Sequence, residues 1–253
     1  MLRAVDFGES DRVVHLLTPD AGRVVAIAKG AKRSSRRFPG TLDVLNRLRI
    51  QIVRRRPHTL ARLEQAVLVT PFAELRTRPA RFALACFLVE IFDRLAPGEG
   101  GGRDTGALYH FAVQSLTNLE CSEPDGKARV LLELRALTAL GLRPELLCCV
   151  RCRRGAEGER VLFSIAEGGP VCARCRKPRE DFFALRLGTL RALAQSLRMP
   201  LPQLARLQLS ARDVGAAQVL LRQLRHFHLG VELKSERFLD GALAVARDVA
   251  ARA

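Results

Sequence analysis

The chain has 253 residues, of which 48% are hydrophobic, and a formal net charge of +16. This composition excludes an intrinsically disordered chain, and without an apolar run of about 18 residues no membrane-spanning helix is expected. The length predicts two or three domains, and acidic residues at Asp6, Glu9 and Asp11 interrupt any signal-peptide pattern. Seven cysteines, an odd number, fit a reducing cytosol better than a secreted disulfide framework.

The positive charge is concentrated in the first part of the chain. Residues 1–70 contain 14 Lys and Arg against 6 Asp and Glu, a net charge of +8, and the other 183 residues carry 28 against 20, again +8. Half of the excess therefore lies in little more than a quarter of the chain. This distribution predicts a basic functional surface there.

Five short segments of the same region have the alternating or β-branched composition of strands, and turn-forming residues separate them. They are Leu2–Phe7, Arg12–Thr18, Arg23–Lys29, Leu45–Val53 and Leu60–Val69. Five strands in about 70 residues predict a small closed β-barrel of the OB-fold type.

Two clusters of basic residues lie in loops of the predicted barrel, one after the third strand and one between the last two. The candidate DNA-binding residues are Lys29, Lys32, Arg33, Arg36, Arg37, Arg54, Arg55 and Arg56. Such side chains neutralise phosphates without regard to nucleotide sequence, which predicts salt-sensitive binding of nucleic acid. The alternative is a solvated basic loop with no partner. Of the nearby aromatic residues, Phe7 is expected in the barrel core, whereas Phe38 of the basic loop could stack on bases.

From residue 71 onwards the hydrophobic pattern has the period of helices, which predicts an all-helical domain. The predicted helices are Pro79–Ala96, which is apolar on nearly every face, Asp104–Glu120, Gly126–Leu140, Leu185–Leu197, Ala211–Leu229 and Gly241–Ala253.

Two C-x-x-C pairs, separated by nineteen residues, interrupt the helices. Their spacing predicts one structural zinc ion with four thiolate ligands and no open position for water. The ligands are Cys149, Cys152, Cys172 and Cys175. An extended run at 160–165 and a Gly-Gly turn at 168–169 predict a zinc-ribbon hairpin between the pairs. A redox-active dithiol pair and a site that has lost its metal are the alternatives.

Two questions about this zinc module stay open. Cys148 could compete with Cys149, although its spacing to Cys152 favours Cys149. Cationic residues crowd the cysteine pairs, and they either extend a DNA-binding surface or stabilise thiolate charge. They are Arg151, Arg153, Arg154, Arg174, Arg176 and Lys177.

Several segments together resemble the RecO family of bacterial recombination mediators. They are the Gly8-Glu-Ser-Asp11 turn with the following Val13-Val-His-Leu-Leu-Thr18, the run from Gly22 to Arg33 with its basic loop, the cysteine pairs, and Leu233-Lys-Ser-Glu-Arg237-Phe238. The resemblance covers essentially the whole chain. The first strand looks short for the family, which leaves open a start codon upstream of Met1.

The pattern and the resemblance agree on an α+β multidomain fold. An N-terminal OB-fold β-barrel is expected over residues 1–70 and a helical domain over 71–147 and 178–253, with the four-cysteine zinc knuckle or ribbon inserted at 148–177.

The resemblance implies a non-enzymatic role in DNA repair. RecO proteins bind single- and double-stranded DNA, anneal complementary strands and, with RecR, help to load RecA onto strands coated by the single-stranded DNA-binding protein (SSB). They also dock the acidic tail of SSB, for which Arg129 and Arg135 are candidates; the alternative places both on the solvent face of a core helix. A cytoplasmic, nucleoid-associated location follows from this role.

The sequence carries no Ser-His-Asp order, paired-carboxylate motif or nucleotide fingerprint, so catalysis is not expected. The competing hypothesis is a zinc-stabilised adaptor whose basic surface binds an acidic protein, with no direct role on DNA.

Overall fold

The computed structural model describes residues 1–34, 36–54, 56, 59–99 and 104–250. The strands are β1 (Arg3–Phe7), β2 (Asp11–Thr18), β3 (Gly22–Ala28), β4 (Arg47–Val53), β5 (Ala61–Thr70), β6 (Arg160–Ser164), β7 (Gly169–Val171) and β8 (Phe183–Arg186). The helices are α1 (Glu74–Thr77), α2 (Pro79–Leu95), α3 (Thr105–Glu120), α4 (Gly126–Ala139), α5 (Leu187–Ser196), α6 (Ala211–Leu229) and α7 (Ser235–Ala250), with a 3-10 helix at Leu201–Arg206.

The chain divides into two compact units, Met1–Glu123 with Leu233–Ala253, and Pro124–Glu232. The predicted domain boundaries at residues 70, 147 and 178 are a finer division, which stays a prediction. Among the helices of the described residues, none combines the length and the apolar character needed to cross a membrane.

The first unit contains a five-stranded mixed sheet with the order β1-β2-β3-β5-β4, in which only β3 and β5 run parallel. Alternate residues of β3 face the core: Val24, Ala26 and Ala28 are buried, and the residues between them are only partly covered. Phe38 and Leu63 belong to the same core cluster. This core fixes which face of the sheet is left for a ligand.

The sheet is not closed into a barrel by strand pairing. Within the described residues β1 and β4 lie at opposite ends of the strand order and do not pair with each other. The backbone just before β4 does meet the start of the chain, because the Met1 amino group donates to the Asn46 carbonyl (2.9 Å) and the Leu45 amide donates to the Met1 carbonyl (3.0 Å). The domain is therefore OB-like, but strand pairing does not close its sheet into the predicted barrel.

Helix α2 is the buried helix of the first unit, as its uniformly apolar pattern predicted. Ala83, Leu84, Phe87, Leu88 and Ile91 have no exposed surface. At its end, the carboxylate of Asp93 lies 2.5 Å from His15 Nδ1 on β2. This contact joins the helix to the sheet.

Helix α7 begins at Ser235, six residues before its predicted start at Gly241, so that boundary was wrong. The carboxylate of Glu90 on α2 accepts hydrogen bonds from the amides of Lys234 (3.0 Å) and Ser235 (2.8 Å). These bonds satisfy N–H groups that a helix start leaves without partners. A residue distant in sequence thus sets where the helix starts.

The second unit packs α4, α5 and α6 with the three-stranded antiparallel sheet β7-β6-β8. Strand β8 was not predicted and replaces the first residues of the helix expected from Leu185. In the core of this unit Arg225 of α6 forms an ion pair with Glu133 of α4, both fully buried. Each charge compensates the other in a place where an isolated charge would be costly.

Candidate metal centre and nucleic-acid interface

Four cysteine sulfurs converge in the second unit. The Sγ atoms of Cys149, Cys152, Cys172 and Cys175 all lie within 4.8 Å of one another, and Cys148 is not part of the group. Tetrahedral zinc with Zn–S bonds of about 2.3 Å requires sulfurs about 3.8 Å apart. The sulfurs of Cys152 and Cys172 are 3.6 Å apart, so this pair fits a zinc ion.

The β6–β7 hairpin returns the second cysteine pair to the first. Its turn contains Gly168 with φ of +67°, a conformation that favours glycine. Beside the turn, the amide of Val150 donates to the carbonyl of Pro170 (2.9 Å), and the amide of Cys172 donates to the Cys149 sulfur (3.4 Å). The hairpin predicted between the pairs is therefore present, and it accounts for their convergence.

Cys149 and Cys175 differ in how easily they ionise. Burial raises the pKa of Cys149, but N–H groups of Cys172, Cys152 and Arg151 outweigh it and lower this pKa to about 6. Hydrogen bonding to the neighbouring sulfurs raises the pKa of Cys175 to about 12. A divalent cation favours the ionised form of both because it attracts every thiolate, and an all-sulfur tetrahedral donor set is typical of zinc.

Glu145 organises the turn that presents the first pair. One carboxylate oxygen accepts hydrogen bonds from the amides of Leu146 (3.0 Å), Leu147 (3.0 Å) and Cys148 (3.3 Å), and the other lies 3.2 Å from Arg153. Burial raises the pKa of Glu145, but these backbone donors and Arg153 lower it by more. The carboxylate is therefore charged at neutral pH and holds the turn.

Arg151 lies inside the first cysteine pair and reaches across to the second. Its guanidinium donates to both carboxylate oxygens of Glu180 (2.7 and 3.0 Å), to Glu167 (3.1 Å from Nε) and to the backbone carbonyl of Cys175. Arg174, at the same place in the second pair, is exposed and has no ion pair within the described residues. Arg151 is therefore occupied by protein groups, whereas Arg174 is available to a ligand.

These ion pairs lower the pKa of Glu167 and of Glu180. A carboxyl group with a lowered folded-state pKa stabilises the fold above its unfolded pKa and loses that contribution as the pH falls through the folded value. The Arg151 contacts are therefore complete at neutral pH and weaken in acid.

The basic loop (residues 29–38) follows β3, and both of its ends are fixed to the sheet domain. At its start, the carboxylate of Asp11 accepts a hydrogen bond from the amide of Gly30 (2.8 Å). At its end, Phe38 is 4% exposed and packs in the sheet core. Phe38 thus anchors the loop, contrary to the expectation that it could stack on bases.

Some of the predicted DNA-binding residues bind other groups of the protein. Lys32 lies 3.1 Å from the Asp6 carboxylate and donates to the Gly8 carbonyl (3.1 Å), so it ties the basic loop to the β1–β2 turn. Arg54 pairs with Glu99. Their charges are partly neutralised before any DNA arrives.

The other candidates present more of their charge to solvent. Lys29, Arg33, Arg36 and Arg56 are exposed, whereas Arg37 is half-buried and donates to the Lys29 carbonyl (2.7 Å). Among the described ion pairs of these residues, the only one is a 3.9 Å approach of Arg33 to Glu9. Arg55 lies outside the described residues. Of these exposed cations, Lys29, Arg33 and Arg36 belong to the basic loop and Arg56 to the second cluster.

Known proteins match both parts of the chain. The family model described as Recombination protein O N terminal matches residues 1–72, and the one described as Recombination protein O C terminal matches residues 76–237. The chain belongs to the RecO family. The resemblance seen in its sequence is confirmed.

Curated RecO-family relatives align over almost their full length. A protein of Myxococcus xanthus is 37% identical over 94% of both chains. One of Anaeromyxobacter dehalogenans is 35% identical over 95% of this chain and 93% of its own, and one of Symbiobacterium thermophilum is 32% identical over 95% and 94%. Each of the three is named DNA repair protein RecO.

The two candidate arginines for the SSB tail lie on α4 of this RecO-family chain. Arg129 is 1% exposed, so its guanidinium is not at the surface. Arg135 is half-buried and donates to the carbonyls of Ser196 (3.1 Å) and Met199 (2.5 Å). Neither arginine is therefore a freely solvated cation. The alternative, which placed both on the solvent face of the helix, does not describe them either. Their role in binding the SSB tail stays a prediction.

Sequence reasoning did not single out the carboxylates around the zinc module. Glu145, Glu167 and Glu180 all bond to its backbone or to its arginines. A signal was present, because acidic residues stand close to cysteine pairs in an otherwise arginine-rich segment. The sequence does not show which arginine forms an ion pair with each of these carboxylates.

Replacing Arg151 with Lys is expected to weaken zinc binding by about 10- to 100-fold, the usual effect of removing a group that orients metal ligands. Lysine keeps the charge but cannot bridge Glu167, Glu180 and the Cys175 carbonyl at once. Competition with a chromogenic zinc chelator measures the change. Arg174→Lys is the matched control and should have the affinity of the unmodified protein; equal affinities for both variants would contradict the role of Arg151.

Proposed function

We propose that this protein is a recombination mediator in DNA repair. It binds single- and double-stranded DNA, anneals complementary strands and, with RecR, helps to load RecA onto SSB-coated single strands. The observation that carries the proposal is the group of exposed, mostly unpaired cations on the basic loop of an OB-like sheet, in a RecO-family chain of net charge +16.

Charge neutralisation is the chemistry that annealing requires. Two complementary strands repel each other through their phosphates, and a cationic surface that releases counterions from both lets them approach. Lys29, Arg33 and Arg36 offer such charges on a loop whose two ends are fixed to the sheet. No nucleophile or general base takes part, and the proposal includes no catalytic centre.

The zinc module serves this function by holding shape. Four thiolates fill a tetrahedral zinc site, so the ion has no position for substrate. Exposed cations on the module offer further contacts to DNA phosphates; they are Arg154, Arg174, Arg176 and Lys177. We further propose that the sheet works as an OB-type barrel, and that the helical part, with the zinc module as an insertion, docks the SSB tail near Arg135. The protein would act at the nucleoid in the cytoplasm.

Removing free charge from the basic loop is expected to weaken binding to every DNA sequence alike. Each lost phosphate contact lowers the slope of log K against log salt by about 0.7 for single strands, so Lys29→Ala, Arg33→Ala and Arg36→Ala together should lower it by about 2. Fluorescence anisotropy with oligonucleotides between about 50 and 200 mM salt measures the slope.

The control for this triple variant is Arg94→Ala, which removes an exposed cation on α2 of the same unit and should leave the slope unchanged. A triple variant with the slope of the unmodified protein would move the DNA site away from the basic loop.

Strand annealing distinguishes the proposed function from the adaptor hypothesis. Complementary oligonucleotides, bare or coated with SSB, should pair faster with the protein than without it, and the triple variant should lose most of the acceleration. If the unmodified protein binds no DNA at low salt, the mediator proposal fails and the basic surface serves an acidic protein instead.

A further inference from the structure

Phe7, expected in the core, is instead 57% exposed at the end of β1. Leu2 is buried and Ala4 packs against the core cluster, so Val5 (39% exposed) and Phe7 lie on the opposite face of the strand, and Asp6 between them is exposed as well. Within the described residues Phe7 has no aromatic partner. Aromatic rings bury about 150–250 Å² each when they are covered, so this open ring has area available for a ligand.

Further apolar side chains continue this surface across the sheet. Val5 lies opposite Val13 on β2, and Val13 lies opposite Ile27 on β3. Val13 and Ile27 are half-buried on the face turned away from the core. Because neighbouring strands are about 4.8 Å apart, the three side chains form an apolar strip about 10 Å wide, with Phe7 two residues further along β1.

Cations border the strip. The turn that follows Phe7 is tied to the basic loop, since the amide of Lys32 donates to the carbonyl of Ser10 (3.0 Å) and Arg33 approaches Glu9 to 3.9 Å. At the other side, Ile27 lies opposite Arg62 of β5, which forms an ion pair with Glu64 (2.9 Å). Asp11 lies opposite Phe7, but its carboxylate accepts a hydrogen bond from the amide of Gly30 at the start of the basic loop (2.8 Å). The apolar surface and the exposed cations of that loop complement a partner with flat rings and a negatively charged backbone.

We propose that Phe7, supported by Val5, Val13 and Ile27, stacks on a base of single-stranded DNA whose phosphates are held by the basic loop. The proposal rests on the proposed function and adds a preference between DNA forms. In a duplex both faces of each base are already stacked, so duplex DNA can use the cations but not the ring. Phe7 therefore favours single strands without reading their sequence.

Replacing Phe7 tests the stacking directly. Phe7→Ala is expected to lower single-strand affinity by about 5- to 150-fold, the range for loss of one stacked base, and duplex affinity by less than about twofold. The chain contains no tryptophan, so Phe7→Trp supplies a single indole whose fluorescence should be quenched by a single-stranded oligonucleotide and much less by a duplex. Its single-strand affinity should match or exceed that of the unmodified protein.

Phe227→Ala is the matched control, because Phe227 is 60% exposed in the second unit and should leave both affinities unchanged. Circular dichroism should show that Phe7→Ala melts at the temperature of the unmodified protein. Unchanged single-strand affinity, or equal losses for single strands and duplex, would overturn the stacking proposal while salt-dependent binding by the unmodified protein still supported the proposed function. No binding by the unmodified protein would remove both.

Discussion

Cys152→Ser is expected to lose the zinc ion and the ordered structure of the zinc module. Serine is a poor zinc ligand, and three remaining thiolates leave the metal open to water and to chelators. Structural zinc in small modules contributes about 10–16 kcal/mol of apparent binding free energy, which becomes folding free energy where no preformed site exists. The metal content should fall from one zinc per chain to nearly none after dialysis against a mild chelator.

Limited proteolysis should show the same loss as a structural change. Trypsin is expected to cut the variant rapidly at Arg153, Arg154 and Arg174, whose backbone a bound zinc ion would hold in place in the unmodified protein. Cys121→Ser is the control, since Cys121 lies in the first unit and outside the sulfur group. Cys148→Ser should also keep its zinc; zinc loss there would show that Cys148 ligates. A Cys152→Ser variant with full zinc and an intact fold would refute the structural site.

Phe38→Ala is expected to destabilise the first unit by about 3–5 kcal/mol, the usual cost of removing a buried phenyl ring. The ring is 4% exposed, lies in the core cluster beneath the sheet, and fixes the end of the basic loop. Phe7→Ala, by contrast, removes an exposed ring and should change stability by no more than about 0.5 kcal/mol.

Native-state hydrogen exchange of amides in β2, β3 and β5 measures this local stability without assuming that the two units unfold together. Phe38→Leu, which fills most of the space, should cost less than half as much as the alanine variant. Because Phe38 itself does not contact DNA in this proposal, the folded Phe38→Ala variant should lose DNA affinity only through increased mobility of the basic loop. Normal exchange protection in Phe38→Ala would show that the ring does not anchor the sheet.

The two phenylalanines show where sequence patterns stop being informative. Phe7 ends a strand in which the sequence pattern does not show which face is buried. Only the pairing with β2 decides that Val5 and Phe7 lie on the face turned away from the core. Phe38 lies in a polar, basic segment that has the composition of a loop, yet its ring reaches the core. Burial of one residue depends on the position of the whole sheet, which no short window of sequence contains.

The charged residues illustrate the same limit. Arg129 and Arg151 are both arginines among apolar or cysteine neighbours, but one is buried in α4 and the other bonds to Glu167 and Glu180. Lys32 lies in a basic cluster and yet pairs with Asp6. Which cations stay free for DNA depends on carboxylates from distant parts of the chain, and this pairing is a tertiary property.

By itself the sequence determined the family, the five strands of the first unit and most helices to within two residues, and the four cysteines that converge. These features are local, because periodicity, turn residues and C-x-x-C spacing act over a few residues. Only the tertiary structure decided that the sheet stays open between β1 and β4, that Glu90 starts α7, and that Phe7 is exposed while Phe38 is buried. Each of these features depends on packing or hydrogen bonding between residues far apart in the chain. Their free energy depends on which side chains the fold brings into contact, and no local sequence pattern contains that information.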